Sequence, residues 1–478
     1  MRGRRVFPAA LAVLLAGCTI GPDYVRPDMP LPAKWRNAGK GAPASTEQSA
    51  QWWKNFNDPV LEKLVAQALE SSLDLKLARA RIREARAQLV VAEAAGAPNV
   101  TASASAARGM NSANVVQSSS AGTVFSTGGV VYDLYKAGFD AQWELDLFGG
   151  VRRSVEAAQA TAEAAEEDGR AVQISLLGEV ARNYIELRAA QRQIAIAREN
   201  ARAQQETAGL VRSRYRAGLS SDLDVARAEA QAAATAAQIP PLEAALDKAV
   251  HRLGVLLGKA PGALAEDLAR EAPVPISSAQ VAAGLPSELL QRRPDIRRAE
   301  RQLAAATALT GAATADLFPR FNLAAMIGLQ SSDASTFTDG GSKAWSLVPG
   351  LSLPVFNAGR IRANIEAKDA QQEQALAKYQ AAVLSALEEV ENSLAVYVRE
   401  QLRRESLLQA EEANRRAVAL ASERYVKGLA SFLDVLDAER SLYAAQSLLS
   451  QSEASLSSDL VALYKALGGE WETSVGTP

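Results

Sequence analysis

From Tyr135 the chain alternates without a slip. Tyr135, Ala137, Phe139, Ala141, Trp143, Leu145 and Leu147 fall on one face, and Lys136, Gly138, Asp140, Gln142, Glu144 and Asp146 on the other. A period of two over this length predicts a strand with one apolar and one wet face. Asn99, Thr101, Ser103 and Ser105 alternate with Val100, Ala102, Ala104 and Ala106 in the same way. Phe321, Leu323, Ala325, Ile327 and Leu329 share a face of a third segment, and Trp345, Leu347, Leu351 and Leu353 a face of a fourth. Four strands of about ten residues result, the length that crosses a bilayer when tilted. Tyr135, Trp143 and Trp345 suit the aromatic belt of such a wall. Four strands are too few to close a barrel, for which about eight are the minimum. An open edge in lipid leaves backbone groups unsatisfied, so the pattern requires strands from several chains. The connecting loops at about 109–134 and 330–342 are rich in Ser, Gly, Asn and Asp and suit an outer, aqueous side.

Elsewhere the apolar spacing is helical. It predicts helices near 74–95 and 294–315, very long ones near 151–217 and 360–427, and final ones near 223–257 and 431–467. At 1.5 Å per residue each long helix reaches roughly 100 Å. Helices of that length persist only by packing sideways on one another, and Ala or Ser at the contacts lets the axes approach. Pro240-Pro241 predicts a break in the 223–257 helix, because neither residue can donate an intrahelical bond.

The order of elements occurs twice because the sequence does. Arg214 to Glu229 matches Arg424 to Glu439 at ten of sixteen positions. Val151 to Ala157 aligns with Ile361 to Ala367, Asp74 and Ala78 with Asp295 and Ala299, and Pro98 with Pro319. The chain reads as a signal segment 1–17, an N-terminal extended segment 18–57, repeats over 58–270 and 271–470, and a tail 471–478.

Composition narrows the function. Lys+Arg number 52 against 54 Asp+Glu, a net charge of −2, which gives no general pull on nucleic acid. One Cys and one His exclude a disulfide and a Cys- or His-rich metal site, and no cofactor is called for. No nucleophile–base set is visible, so an enzyme is not expected. Arg2, Arg4 and Arg5 followed by apolar Phe7 to Ala16 form a secretory signal too short to span a membrane. It ends Leu15-Ala16-Gly17-Cys18, which resembles a bacterial lipobox and marks Cys18 as the lipidation site. Thr19 stands where inner-membrane retention would place Asp, which favours the outer membrane. Gly254 to Ala260 lacks the Ser/Thr and spacing of a phosphate loop. The basic run Arg292, Arg293, Arg297, Arg298 and Arg301 is read as a helix start rather than a nucleic-acid patch, and Glu144 with Asp146 as pore lining rather than a glycosidase pair.

Several segments carry a family resemblance. They are Cys18 to Tyr24 with Arg26-Pro27, Trp143 to Gly149, and Leu285 to Ile296 through Glu300. Phe318-Pro319, Pro354-Val355-Phe356 with Gly359, and Leu433 to Arg440 complete the set. On these the chain resembles the TolC/OprM family of outer-membrane efflux proteins, in its NodT-type lipoprotein branch. The resemblance implies a mainly α fold with membrane β. Each of two structural repeats holds a long helical hairpin plus two strands, and a homotrimer forms a 12-stranded outer-membrane β-barrel continuous with a periplasmic α-helical barrel. It implies outer-membrane lipids, a periplasmic adaptor protein and an inner-membrane proton-driven or ABC transporter as partners. It also implies that Leu433, Asp434 and Asp437 form the periplasmic gate, braced by Asp224, Tyr425 and Arg440. The function implied is a passive exit duct for drugs or other small amphiphiles. A duct of an ABC-driven protein secretion system, or a lipid-anchored coiled-coil spacer without a pore, are the alternatives.

Overall fold

The computed structural model describes residues 19–36, 51–110, 112, 117–118, 124–125, 131–277 and 286–469. Cys18, the signal segment, most of the 109–134 loop and the tail lie outside these residues. The principal elements are α1 (Pro59–Ser71), α2 (Leu73–Ala94), β1 (Asn99–Met110), β2 (Val131–Leu145), α3 (Gly150–Arg216), α4 (Asp222–Ala236), α5 (Ile239–Leu256), α6 (Pro294–Ala315), β3 (Arg320–Ser331), β4 (Lys343–Ser352), α7 (Arg360–Val426) and α8 (Phe432–Ala466). No helix among the described residues is long and apolar enough to cross a membrane.

Four elements of the first copy keep their bounds in the second to the residue or share the offset at their start. α2 and β1 recur 221 residues later as α6 and β3, and α3 recurs 210 residues later as α7. The copies diverge in their last helix. The first is broken at Ala237 and Gln238, and Pro240 falls at the second position of α5, where a missing N–H costs nothing. The prolines thus start a new helix just after the break instead of sitting in it. The second copy, without them, runs unbroken for 35 residues as α8.

The chain forms two compact units, each drawing on both repeats. One comprises Met1–Pro27, Arg83–Ala164 and Glu300–Lys378; the other comprises Asp28–Ile82, Ala165–Ala299 and Tyr379–Pro478. The first holds an antiparallel sheet in the order β1-β2-β3-β4. The second holds the main apolar core. Tyr184, Tyr379, Leu253 and Leu460 are buried there, and Trp52 stacks on Tyr464 at 5.5 Å. Arg188 is buried in it and donates to the Tyr184 hydroxyl (2.9 Å), Gln191 (2.7 Å) and the Arg270 carbonyl (2.7 Å), while Tyr184 donates to Asp58, the N-cap of α1. The α1 helix is not among the expected elements, although Asp58-Pro59 and the helical spacing of Leu61, Leu64, Val65 and Ala68 signal it; the polar knot has no such signature.

The basic run is absorbed by ion pairs. Arg293 is bidentate to Asp295 and also meets Glu389 at 2.7 Å; Arg297 meets Glu167 at 2.6 Å; Arg298 pairs with Asp168. In the other unit Arg301 pairs with Glu163 and Glu300. These arginines face acids spaced along α3 or neighbouring helices, which leaves no free basic patch for a polyanion.

Candidate functional site

The sheet is sorted by face. Ala102, Phe139, Ile327 and Trp345 form one row across four strands, and Val100, Ala141, Ala325 and Leu347 the next. Phe139, Ile327, Trp345 and Leu347 are exposed, Trp345 by 78%. A soluble sheet would bury this face against a core; here the large side chains point away from the chain. From the Leu145 row to the Tyr135 row the strand rises about 34 Å, or about 25 Å at a barrel tilt, which is the height of a lipid-facing band. The opposite face carries Thr101, Asp140, Met326 and Ser346 in one row and Ser105, Lys136 and Gln330 in another, and the Ser103 hydroxyl donates to Asp140 at 2.9 Å. Trp143 also has a local partner, since its indole N–H donates to the Gly96 carbonyl at 3.0 Å. Asp146 lies past the end of β2 and accepts from the Arg152 amide at 2.8 Å, so it caps the start of α3 and does not extend the strand's wet face.

The two hairpin ends share one design. Gly218 (φ 75°) and Gly428 (φ 72°) take the left-handed turn that ends α3 and α7, and the following Leu219 and Leu429 amides reach back to the Arg214 and Arg424 carbonyls, each at 2.8 Å. Ser221 and Ser431 then open α4 and α8 with capping boxes, closed by Asp224 and Asp434. Asp434 therefore turns its carboxylate back onto the Ser431 amide at 2.8 Å. Asp224 does the same and also accepts from Ser220. Although burial opposes it, the Ser221 hydroxyl and amide and the Ser220 hydroxyl hold the Asp224 carboxyl below the usual range.

The other predicted gate residues are placed as follows. Leu433 and Asp437 are exposed and one helical turn apart, on one face of α8. Tyr425 is buried with Phe432, Val435 and Leu436; its ring lies 5.9 Å from Phe432 and 4.8 Å beneath the Arg214 guanidinium. Its hydroxyl is buried without a hydrogen-bond partner among the described residues, so no hydrogen bond joins it to Asp224, although Val225 beside Asp224 packs in the same cluster. Arg440 donates to Gln231 of α4 at 2.6 Å, tying α8 of one repeat to α4 of the other. Phe432 and Leu436 are buried where the first copy has Asp222 and Ala226, so the two hairpin ends are packed unequally.

The segment after Cys18 forms a third site that pattern reading missed. The Ile20 amide donates to the Phe148 carbonyl at 3.2 Å. Gly21 lies against Gly311 so closely that a Cβ on Gly21 would sit 2.4 Å from the Gly311 Cα. Arg153, almost fully buried, donates to the carbonyls of Ile20 and Gly21 (both 3.3 Å), to Asp23 (2.6 Å) and to Glu156 (2.8 Å). Tyr24 donates to Glu300, which also pairs with Arg26.

Known proteins share this organisation. The family model described as outer membrane efflux protein matches residues 64–259 and 285–469. Nodulation protein T of Rhizobium leguminosarum bv. trifolii is 34% identical over 95% of this chain and 94% of its own length. The probable efflux pump outer membrane protein TtgC of Pseudomonas putida is 34% identical over 98% of this chain and 96% of its own. The solved outer-membrane channel OprN superposes with a TM-score of 0.89 at 40% identity, covering 95% of this chain and all of that one. With an exposed apolar wall, twin capped hairpins and matches that span both repeats, the chain belongs to the outer membrane efflux protein family, the outer-membrane channels of tripartite efflux systems.

Proposed function

We propose that three copies close one barrel and conduct small amphiphilic compounds, drugs among them, from a proton-driven inner-membrane pump and its periplasmic adaptor to the exterior. The observation that carries this reading is the open sheet. β1 and β4 are both edges, and the face between them is apolar and exposed. A free edge in lipid is untenable, and a ring of identical sheets removes both edges at once. The opposite face mixes charged, polar and small side chains with Met326 and Val348, a lining of no single chemistry that suits passage rather than selection.

The same reading places the lipid on Cys18, the gate at Leu433, Asp434 and Asp437, and its bracing at Asp224, Tyr425 and Arg440, within repeats over 58–270 and 271–470. Three copies would bring Leu433 and Asp437 towards one axis, where apolar closure and repelling carboxylates set the opening. Full-length protein in detergent should run as a heat-modifiable trimer and give discrete conductance steps in planar bilayers. A stable monomer without conductance would leave the pore-free spacer as the better account.

A further inference from the structure

The internal repeat fixes how one chain should meet the next. Within the chain, strand pairing obeys the repeat as strictly as the element bounds do. Asn99 faces Gln142 in the first copy, and Arg320 faces Ser352 in the second. The first strands are related by 221 residues and the second strands by 210, the same offset that relates α3 to α7. Gly149 (φ 83°) and Gly359 (φ 84°) at the helix starts keep that offset.

The two second strands differ in one respect. In β2 the residues beyond Gln142 outrun β1 and pair with β3 instead, Trp143 facing Leu323 and Leu145 facing Phe321. Their equivalents in the second copy are Leu353, Pro354 and Val355, which lie past the end of β4 and have no strand beside them. Leu353 is 51% exposed and Val355 is 90% exposed. The strand that would serve them, the equivalent of β3, is β1, and within the chain β1 lies at the far edge of the sheet.

We propose that β4 and its extension pair antiparallel with β1 of a second copy, with Leu351 opposite Ala104, Leu353 opposite Ala102 and Val355 opposite Val100. This register is the β2–β3 seam carried forward by the two offsets. It rests on the trimeric reading above and adds to it the residues that meet. The register keeps the two faces of the wall in step. A one-residue slip would set wet positions against lipid-facing ones, yet the derived register places lipid-facing residues of β4 opposite lipid-facing residues of β1 throughout. Small also meets large: Ala102 and Ala104 lie opposite Leu353 and Leu351, so the seam closes without crowding.

Disulfide trapping tests this in the full-length chain in membranes. The lone native Cys18 is the predicted acylation site and leaves no competing thiol. The pairs A104C/L351C and A102C/L353C should give heat-stable covalent oligomers under mild oxidation and non-reducing electrophoresis, several-fold above A102C/L351C and A106C/L351C. Stronger trapping in either shifted pair overturns the register. A heat-modifiable trimer that no pair traps overturns this seam while keeping the trimer. Monomers throughout overturn both the seam and the reading on which it rests.

Discussion

At the residue scale the two acidic gate candidates separate. Asp434 completes a capping box and so stabilises the start of α8, whereas Asp437 is exposed and, among the described residues, has no ion-pair partner. Asp434→Ala should cost about 1 kcal/mol of local stability, read as roughly fivefold faster amide exchange in the first turn of α8; Asp437→Ala should leave that exchange unchanged. Equal effects of the two substitutions would refute the division. Arg153 is the other decisive side chain, because it alone satisfies two carbonyls of the segment that follows Cys18. Asp23 is exposed, so removing the guanidinium loses chiefly its charge-assisted bonds to the two carbonyls, which should cost about 2 kcal/mol. Arg153→Ala should therefore raise amide exchange at Ile20 at least tenfold, with Arg153→Lys intermediate because a lysine cannot fork to both carbonyls. Exchange at Ile20 equal to that of the unsubstituted protein would show that backbone packing at Gly21 and Gly311 suffices.

At the element scale, α8 carries the most informative titration. Burial, and then the nearby Glu400, push the Asp459 carboxyl up to about 6. The folded state thus holds this proton more tightly than the unfolded chain, whose value lies near 3.8. Its contribution to stability is full below about pH 4 and is lost as the pH rises through 6. Unfolding followed by helical circular dichroism should show Asp459→Asn gaining stability over the unsubstituted protein at pH 7 and little difference at pH 4. A difference independent of pH would assign the effect to packing instead. The strands were the most legible elements, because side-chain alternation and an exposed apolar face have the same cause. The long helices were legible to within a residue, since Gly and capping Ser mark their ends. The break at Ala237 and Gln238 was legible only in part: the prolines announce it, but they occupy the start of α5, where their missing N–H is harmless.

At the scale of the whole molecule the chain is an incomplete object. Its sheet ends in two edges, and the residues proposed as the gate lie on the second hairpin of each chain, so in that reading closure and conductance belong to the assembly. Asp437→Ala removes a carboxylate from each of three chains at the proposed constriction and should raise single-channel conductance in planar bilayers; an unchanged value would move the gate elsewhere. The sequence by itself determined the repeat, the strand faces and the lengths of the two long helices. Each follows from local periodicity or a short motif, which needs no knowledge of what lies across the fold. Only the tertiary structure decided that Arg297 and Arg298 are neutralised by Glu167 and Asp168, and that Arg153 grips the segment from Ile20 to Asp23. Those outcomes depend on which side chains meet across more than a hundred residues, a quantity that local spacing does not encode.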